Sequence, residues 1–193
     1  VRGNAEYRLN DKHSLNFNYV LNRAGNKQYD EMDKTYVPTN DVLVKHIVGL
    51  SYNQSFLDGK LNNVFFLKDY INHLKVEQTE LSFITGSDEV KPSNTQSYWG
   101  YGVGTRLTVS EPWAIKASYE YSVRLPIARE LLGNGSTIYP NIALRPESSE
   151  NFNLGLFGNI TLAPSHHLYY EVNGFIRLVD DYIKTTVKEQ EGM

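Results

Sequence analysis

The sequence predicts an all-β fold, an antiparallel up-and-down transmembrane β-barrel of which about eight strands are present. Three observations favour this fold. Apolar and polar residues alternate over long stretches, the stretches come in pairs joined by short turns, and longer polar segments separate the pairs. Strands of globular proteins usually span about five or six residues and rarely more than about ten. The long alternating stretches of this chain therefore favour strands that cross a membrane.

The predicted strands lie near residues 2 to 10, 14 to 22, 45 to 56, 60 to 71, 97 to 109, 113 to 124, 150 to 160 and 167 to 178. Successive side chains of a strand point to opposite faces, so each strand should present one row to lipid and one row to water. The second strand has the apolar row Leu15, Phe17, Tyr19 and Leu21, and the third has Val48, Leu50 and Tyr52. The seventh has the apolar row Phe152, Leu154, Leu156 and Ile160.

The fourth strand breaks the alternation with a continuous apolar run from Val64 to Leu67. Continuous runs are typical of strands that are covered on both faces. The run therefore suggests that a plug or a folded-in loop covers the inner face of this strand.

The fifth and sixth strands show the clearest division into two faces. In the fifth, Trp99, Tyr101, Val103, Thr105, Leu107 and Val109 oppose Tyr98, Gly100, Gly102, Gly104, Arg106 and Thr108. In the sixth, Ile115, Ala117, Tyr119, Tyr121 and Val123 oppose Lys116, Ser118, Glu120, Ser122 and Arg124. One face suits lipid and the other suits water.

The connections alternate between short and long. Residues 10 to 13, 57 to 60 and 110 to 113 form tight turns, and a slightly longer turn near residues 161 to 167 contains Pro164. The segments 23 to 44, 72 to 96 and 125 to 149 are too long for ordinary hairpin loops. Short turns at one rim and long loops at the other match the periplasmic and extracellular sides of an outer-membrane barrel.

Aromatic residues lie where a barrel carries its interfacial girdles. Trp99 begins the fifth strand and Trp113 follows the turn that ends it. About eleven residues at ~3.3 Å each span roughly 36 Å along the strand, or about 25 Å vertically at a ~45° tilt. This is the height of the apolar band. Several of the fourteen tyrosines also lie near predicted strand ends.

Composition limits the classes of function. The formal net charge of −3 gives no basic footprint, which argues against a nucleic-acid partner. The chain has no cysteine, so it has neither disulfides nor thiolate metal sites. It contains no apolar run long enough to predict a transmembrane helix. We predict no catalytic residue, no metal site and no cofactor, and the chain is not expected to be an enzyme.

Some local patterns have ordinary structural interpretations. Gly100, Gly102 and Gly104 match part of the spacing of a phosphate-binding loop, but strand residues follow them instead of a helix. We interpret them as curvature or as room for a bulky neighbouring side chain. The histidines at turns and strand ends and the acidic pairs in the long loops are interpreted as solvated side chains.

The two ends of the sequence suggest that it is a piece of a larger barrel. It begins within a predicted strand without a signal peptide, and it ends without the terminal aromatic residue usual in outer-membrane barrels. We therefore expect residues 1 to 193 to form a partial β-barrel domain from which a plug domain and the end of the barrel are absent.

The third long loop and the strands beside it carry a family resemblance. The chain leaves the sixth strand through Arg124-Leu125-Pro126, and Glu130-Leu131 follows. The chain then reads Asn141-Ile142-Ala143-Leu144-Arg145-Pro146-Glu147-Ser148-Ser149-Glu150-Asn151-Phe152-Asn153-Leu154-Gly155. This pattern resembles the late barrel region of TonB-dependent outer-membrane receptors, closely over residues 119 to 160 and loosely, through the rhythm of the strands, over the whole chain.

The resemblance implies a 22-stranded barrel with an N-terminal plug in the cell outer membrane. It also implies import of a scarce nutrient, such as an iron chelate, cobalamin or an oligosaccharide. Energy would come from the TonB–ExbB–ExbD complex through the plug, for which this chain has no matching residues. Outer-membrane lipid is a further expected partner, and a surface lipoprotein would accompany glycan uptake.

The resembling segment contains both architectural and candidate binding residues. Pro146 should fix the backbone before the seventh strand, while Glu147 and Asn151 should face the lumen or loop partners. Binding residues concentrate on loops held by a rigid scaffold. The predicted ligand-binding residues are Arg124, Arg129, Tyr139 and Asn141.

Two other classes of protein remain open from sequence. A complete eight-stranded outer-membrane barrel with an adhesin or structural role would close by itself. A soluble β-propeller would show hairpins recurring about every fifty residues, as kelch repeats do, but with four short strands in each repeat.

Overall fold

The computed structural model describes residues 1–27, 40–75, 93–110, 112–132, 138, 141 and 143–185. Its strands are β1 (Arg2–Asn10), β2 (His13–Lys27), β3 (Asn40–Phe56), β4 (Leu61–Lys75), β5 (Ser93–Ser110), β6 (Trp113–Arg124), β7 (Glu147–Ala163) and β8 (His166–Asp180). A short helix, α1 (Ala128–Leu132), lies in the described part of the connection between β6 and β7. All eight predicted strands are confirmed.

The strands form one sheet in which each pairs antiparallel with its neighbours in the chain, in the order β1 to β8. Within the described residues the sheet is open, with β1 and β8 at its edges. This is the predicted up-and-down arrangement. A β-propeller would divide the strands among separate blades, so the single sheet rules out that alternative.

Several strands are longer than predicted at the end that carries the long connections. β2 continues to Lys27 and β3 begins at Asn40, because their pairing extends through Arg23 with Val44 and Gly25 with Val42. The apolar period fades there although backbone hydrogen bonding continues. A strand that leaves the lipid band no longer needs one uniformly apolar face. The alternating pattern in the sequence therefore stops before the strand itself ends.

The outward face is continuous across the sheet. One row of paired residues runs through Tyr7, Leu15, Tyr52, Phe65, Val103, Tyr119, Phe152 and Ile176. Large apolar side chains on this face are exposed, including Phe17 at 46%, Leu50 at 50% and Leu154 at 63%. Apolar surface of this extent is unfavourable in water and suits lipid as the solvent.

The structure gives a different reason for the apolar run in the fourth strand. Phe65 and Leu67 face outward with Val103 and Tyr101, whereas Val64 and Phe66 face inward with Gly104 and Gly102. The Phe66 ring occupies the space that a side chain at Gly102 would need. The interpretation of the glycines as room for a bulky neighbour is confirmed. In the described residues it is this glycine row, not a folded-in loop, that accommodates the inward half of the run.

The described part of the β6–β7 connection, residues 125–132, 138, 141 and 143–146, folds against another part of the inner face. We call it the folded-in unit. Residues of the β6–β7 connection pack on the long-connection ends of β3 and β4, forming a buried apolar cluster of Leu43, Leu74, Leu131 and Leu132 with Ala128 and Leu144 against it. Both Leu43 and Leu132 are 2% exposed. The cluster fixes α1 against the wall of the sheet.

The rim of short turns carries aromatic residues on the outward face. Trp113 and Tyr170 meet edge to face with 5.7 Å between ring centroids. The Tyr170 hydroxyl donates a hydrogen bond to the carbonyl of Pro112, which ties β8 to the β5–β6 turn. Such amphipathic rings favour a membrane interface.

No helix among the described residues is both long enough and apolar enough to span a membrane.

Candidate ligand-binding site on the inner face

The candidate site lies on the inner face of the sheet, where the β6–β7 connection turns inward. It is built from the start of β3, the end of β6, the start of β7, and α1. The side chains that hold this segment are inward-facing, as the alternation along each strand predicts. They are joined by four groups of polar contacts.

The first group of contacts is made by Arg124, the last residue of β6. Its Nη1 donates to both carboxylate oxygens of Glu130 at 3.2 Å, and its Nε donates to Glu147 Oε2 at 3.4 Å. Glu130 also accepts the backbone N–H of Ile127 at 2.8 Å. A glutamate that reaches back to the N-cap backbone in this way satisfies a free donor at the start of a helix. Arg124 therefore anchors α1 to the end of β6.

Glu147 is the most buried acid of this network, at 4% exposure. Besides Arg124 it accepts a hydrogen bond from Arg177 of β8 at 3.0 Å and from the backbone N–H of Ile183 at 3.3 Å. One carboxylate thus joins β6, β7, β8 and the chain beyond β8. The prediction that Glu147 faces inner partners is confirmed.

Lys45 of β3 forms the third group. Its Nζ donates to the carbonyl of Leu125 at 3.2 Å and to that of Pro126, across 80 residues of sequence. Leu125 and Pro126 lie beyond the end of β6, and the Lys45 ammonium donates hydrogen bonds to their carbonyls. No sequence pattern distinguishes Lys45 from other inward-facing residues. Its inward position follows from the alternation along β3, but nothing in the sequence indicates its partners.

Asn151 completes the network on β7. Its Nδ2 lies within hydrogen-bonding distance of the hydroxyls of Ser122 and Ser149, both at 3.1 Å, and of the carbonyl of Glu120 at 3.2 Å. These contacts fix neighbouring strands β6 and β7 in register. The predicted inward placement of Asn151 is also confirmed.

The predicted ligand-binding residues occupy different parts of this region. Arg124 is at the base, 39% exposed and paired as described. Arg129 lies exposed on α1, and exposed Asn141 donates its backbone N–H to the carbonyl of Leu131 at 2.9 Å. Tyr139 lies outside the described residues. The structure thus joins Arg129 and Asn141 to one folded-in unit anchored by Arg124, and their role in binding stays a prediction.

We expect replacement of Lys45 by methionine to loosen this unit. Methionine keeps most of the aliphatic stem but removes the donor to Leu125 and Pro126. Tryptic cleavage after the exposed Arg129 should become several-fold faster in outer-membrane preparations, followed by mass spectrometry of the released fragments.

Lys60→Met is the matched control for Lys45→Met, because Lys60 lies in the turn at the opposite rim. It should leave the rate of cleavage after Arg129 unchanged. Equal rates for Lys45→Met and the unchanged protein would show that the Lys45 contacts do not hold the segment.

The comparison with protein families agrees with this architecture. Residues 1–190 match the model of the family described as "TonB dependent receptor-like, beta-barrel". The chain belongs to the TonB-dependent receptor family. The β-barrels of this family lie in the outer membrane. The predicted family and the transmembrane β-barrel fold are confirmed.

Solved structures show the same fold at low sequence identity. The copper transporter OprC aligns over 94% of this receptor chain at 15% identity with a TM-score of 0.71. The hemophore receptor HasR of Serratia marcescens, solved as a double mutant with its hemophore HasA and heme, aligns over 94% at 18% identity with a TM-score of 0.57. The receptor chain spans 29% and 32% of those two chains. A search of curated protein sequences found no match.

Proposed function

We propose that this chain is part of an active-transport receptor of the cell outer membrane, one that binds and imports a scarce nutrient with TonB-coupled energy. The observation that carries the proposal is the family match over residues 1–190. The outward apolar face and the polar inner face support a wall that separates lipid from an aqueous lumen. The whole receptor would be a 22-stranded barrel with a plug, of which this chain supplies eight strands.

The folded-in unit is proposed to contact the nutrient. Apolar packing on Leu43 and Leu74 and the polar anchors at Arg124 and Lys45 hold it against the wall. A rigid support of this kind reduces the conformational entropy that the folded-in unit would lose on binding a ligand.

Exposed side chains of the unit are free to meet a ligand from the lumen side. Arg129 and Asn141 are exposed, and the partly exposed edge of Arg124 lies at the base of the unit. We therefore retain Arg124, Arg129, Tyr139 and Asn141 as the proposed ligand-binding residues.

The proposed partners follow from the receptor function. The nutrient is an iron chelate, cobalamin or an oligosaccharide, and the TonB–ExbB–ExbD complex supplies energy through the plug region. Outer-membrane lipid surrounds the apolar face. A surface lipoprotein would assist if the nutrient is a glycan.

The proposal is tested by nutrient uptake with the complete receptor in strains that contain or lack TonB. The receptor-dependent accumulation of the labelled nutrient should disappear in the strain without TonB. Uptake that is equal in both strains would contradict active transport and would favour a passive or structural barrel.

Binding by the folded-in unit is tested with the double variant Arg129→Ala/Asn141→Ala. We expect ligand affinity to fall about tenfold or more, because the few residues that carry the binding energy of an interface each cost above ~1 kcal/mol when truncated, and tenfold in affinity is about 1.4 kcal/mol. Lys60→Ala, in a turn at the other rim, is the control. Unchanged affinity in the double variant would remove these residues from the site.

A further inference from the structure

The outward face of the sheet is recessed between β5 and β8. One row of paired residues across these strands has small side chains at three of its four positions, and it consists of Thr105, Ala117, Leu154 and Gly174. The next row toward the long connections is bulkier, and its Tyr119 and Phe152 rings lie 4.9 Å apart between centroids. Residues of both rows line a recess of about 650 Å³. This volume lies within the range of small-molecule sites, about 300–1,000 Å³.

The recess lies at a depth where the membrane consists of acyl chains. Thr105 is six residues beyond Trp99 on β5, and its partner Ala117 is four residues beyond Trp113 on β6. At ~3.3 Å for each residue, these separations are about 20 Å and about 13 Å along the strands. The two tryptophans lie at the interfacial girdles. The recess therefore opens between the girdles, into hydrocarbon.

The polar groups beside the recess are already paired within the protein. The Thr105 hydroxyl donates to Asn63 Oδ1 at 2.7 Å. Ser118 and Asn153 also border the recess, but they belong to the inward rows and bond to each other at 3.1 Å. The recess thus suits an apolar occupant.

The surroundings of the recess identify the chemistry of that occupant. In the described part of β5 to β8, the outward rows hold no lysine or arginine, and their acids Glu150 and Asp180 lie nearer the long-connection rim. The recess is therefore continuous with the lipid-facing surface. In hydrocarbon, association depends on the number of van der Waals contacts, because apolar groups gain nothing by leaving lipid. A chain in the recess contacts protein on several sides, whereas a chain on a flat part of the face contacts it on one.

We propose that this recess binds an acyl chain of a membrane lipid, which lies over Ala117 and Gly174 and against the Tyr119 and Phe152 rings. The chain is retained longer there than lipid elsewhere on the outward face. The site is on the face opposite the folded-in unit, so the assignment rests on the transmembrane fold and is independent of nutrient transport.

Lipid photolabelling of the complete receptor in vesicles tests this site. The vesicles contain phosphatidylethanolamine, phosphatidylglycerol and a small share of phospholipid with a diazirine in one acyl chain, and mass spectrometry locates the adducts. Phe152 and Phe17 are outward-facing residues of the same type with similar exposure, 42% and 46%. We expect Phe152 to be labelled about threefold more or better, because several weak contacts retain the chain. Equal labelling would show ordinary boundary lipid and would overturn the assignment.

Gly174→Leu tests the place of binding. No atom lies within 4 Å of the Cβ that residue 174 would carry, so the leucine side chain extends from the backbone into the recess. It should lower the labelling of Phe152 to the level of Phe17. Gly3→Leu is the matched control, since Gly3 also faces outward and its added Cβ also meets open space. This control should leave the labelling ratio unchanged.

Native mass spectrometry of the receptor released from detergent gives an independent measurement. The unchanged receptor and Gly3→Leu should retain a phospholipid that Gly174→Leu loses. Equal lipid retention by all three would overturn the assignment. So would a receptor dimer in light scattering that Gly174→Leu dissociates, because a second copy would then occupy the recess.

Heat-resistant migration in electrophoresis establishes that each variant is folded. Nutrient uptake by Gly174→Leu should equal that of the unchanged receptor. Failure of the proposed receptor function has a separate sign, namely uptake that does not depend on TonB.

Discussion

Replacing Gly102 by alanine is expected to lower the unfolding free energy of the barrel by about 1 to 3 kcal/mol, the usual cost of forcing extra volume into a packed site. A Cβ at residue 102 would lie 2.6 Å from the carbonyl oxygen of Tyr119 and would also meet the Phe66 ring. The ring can rotate aside, but the carbonyl belongs to the backbone of β6. Strands β5 and β6 would therefore have to separate locally. Denaturant unfolding of the complete receptor in detergent measures the loss.

Gly104→Ala is the matched control for Gly102→Ala. Gly104 shares the strand and the inner face, yet the nearest atom to its added Cβ is Ser118 Cβ at 3.9 Å, an ordinary van der Waals distance. We expect little destabilisation there. Equal losses at the two positions would show that glycine matters for the conformation of the β5 backbone and not for the room it leaves for Phe66.

Replacing Glu147 by glutamine should also destabilise the receptor, by about 1 to 2 kcal/mol, because hydrogen bonds to charged groups are worth more than neutral ones. Glutamine keeps the shape but presents one amide nitrogen to Arg124, Arg177 and the backbone N–H of Ile183, which are all donors. The two guanidinium groups are 39% and 49% exposed, so water will recover part of the lost interaction. Thermal unfolding in detergent, with proteolysis after Arg129 as a second readout, measures the effect.

Glu150→Gln is the control for Glu147→Gln. Glu150 lies on the same strand but on the opposite face, paired with Tyr121. Its replacement should leave both the unfolding temperature and the cleavage rate after Arg129 nearly unchanged. A Glu147→Gln receptor that resists heat and protease as well as the Glu150→Gln receptor would contradict the joining role of Glu147.

Local sequence patterns predicted the strands well because a strand crossing a membrane must keep one apolar face. The rows that contain Phe17 and Leu154 were readable for this reason, and so were the short turns between paired strands. The ends of the strands were harder to predict from the sequence. Beyond the lipid band neither face must be apolar, so the pairing of Arg23 with Val44 leaves no alternating signal.

The candidate site was predictable in part. The inward direction of Glu147 and Asn151 followed from their strand and from the resembling segment. The partners of Glu147 did not, because Arg177 lies 30 residues away along the chain. Lys45 was missed altogether, since a contact across 80 residues has no periodic signature.

The sequence by itself determined that this chain forms paired, membrane-crossing strands with one lipid face and one aqueous face, because side-chain polarity with a period of two is a local property of the chain. Only the tertiary structure decided that Phe66 lies over Gly102, that α1 packs on Leu43, and that Lys45 holds the chain after β6. Those contacts depend on the register between strands and on the path of a connection. Both are set by the packing of residues far apart in sequence.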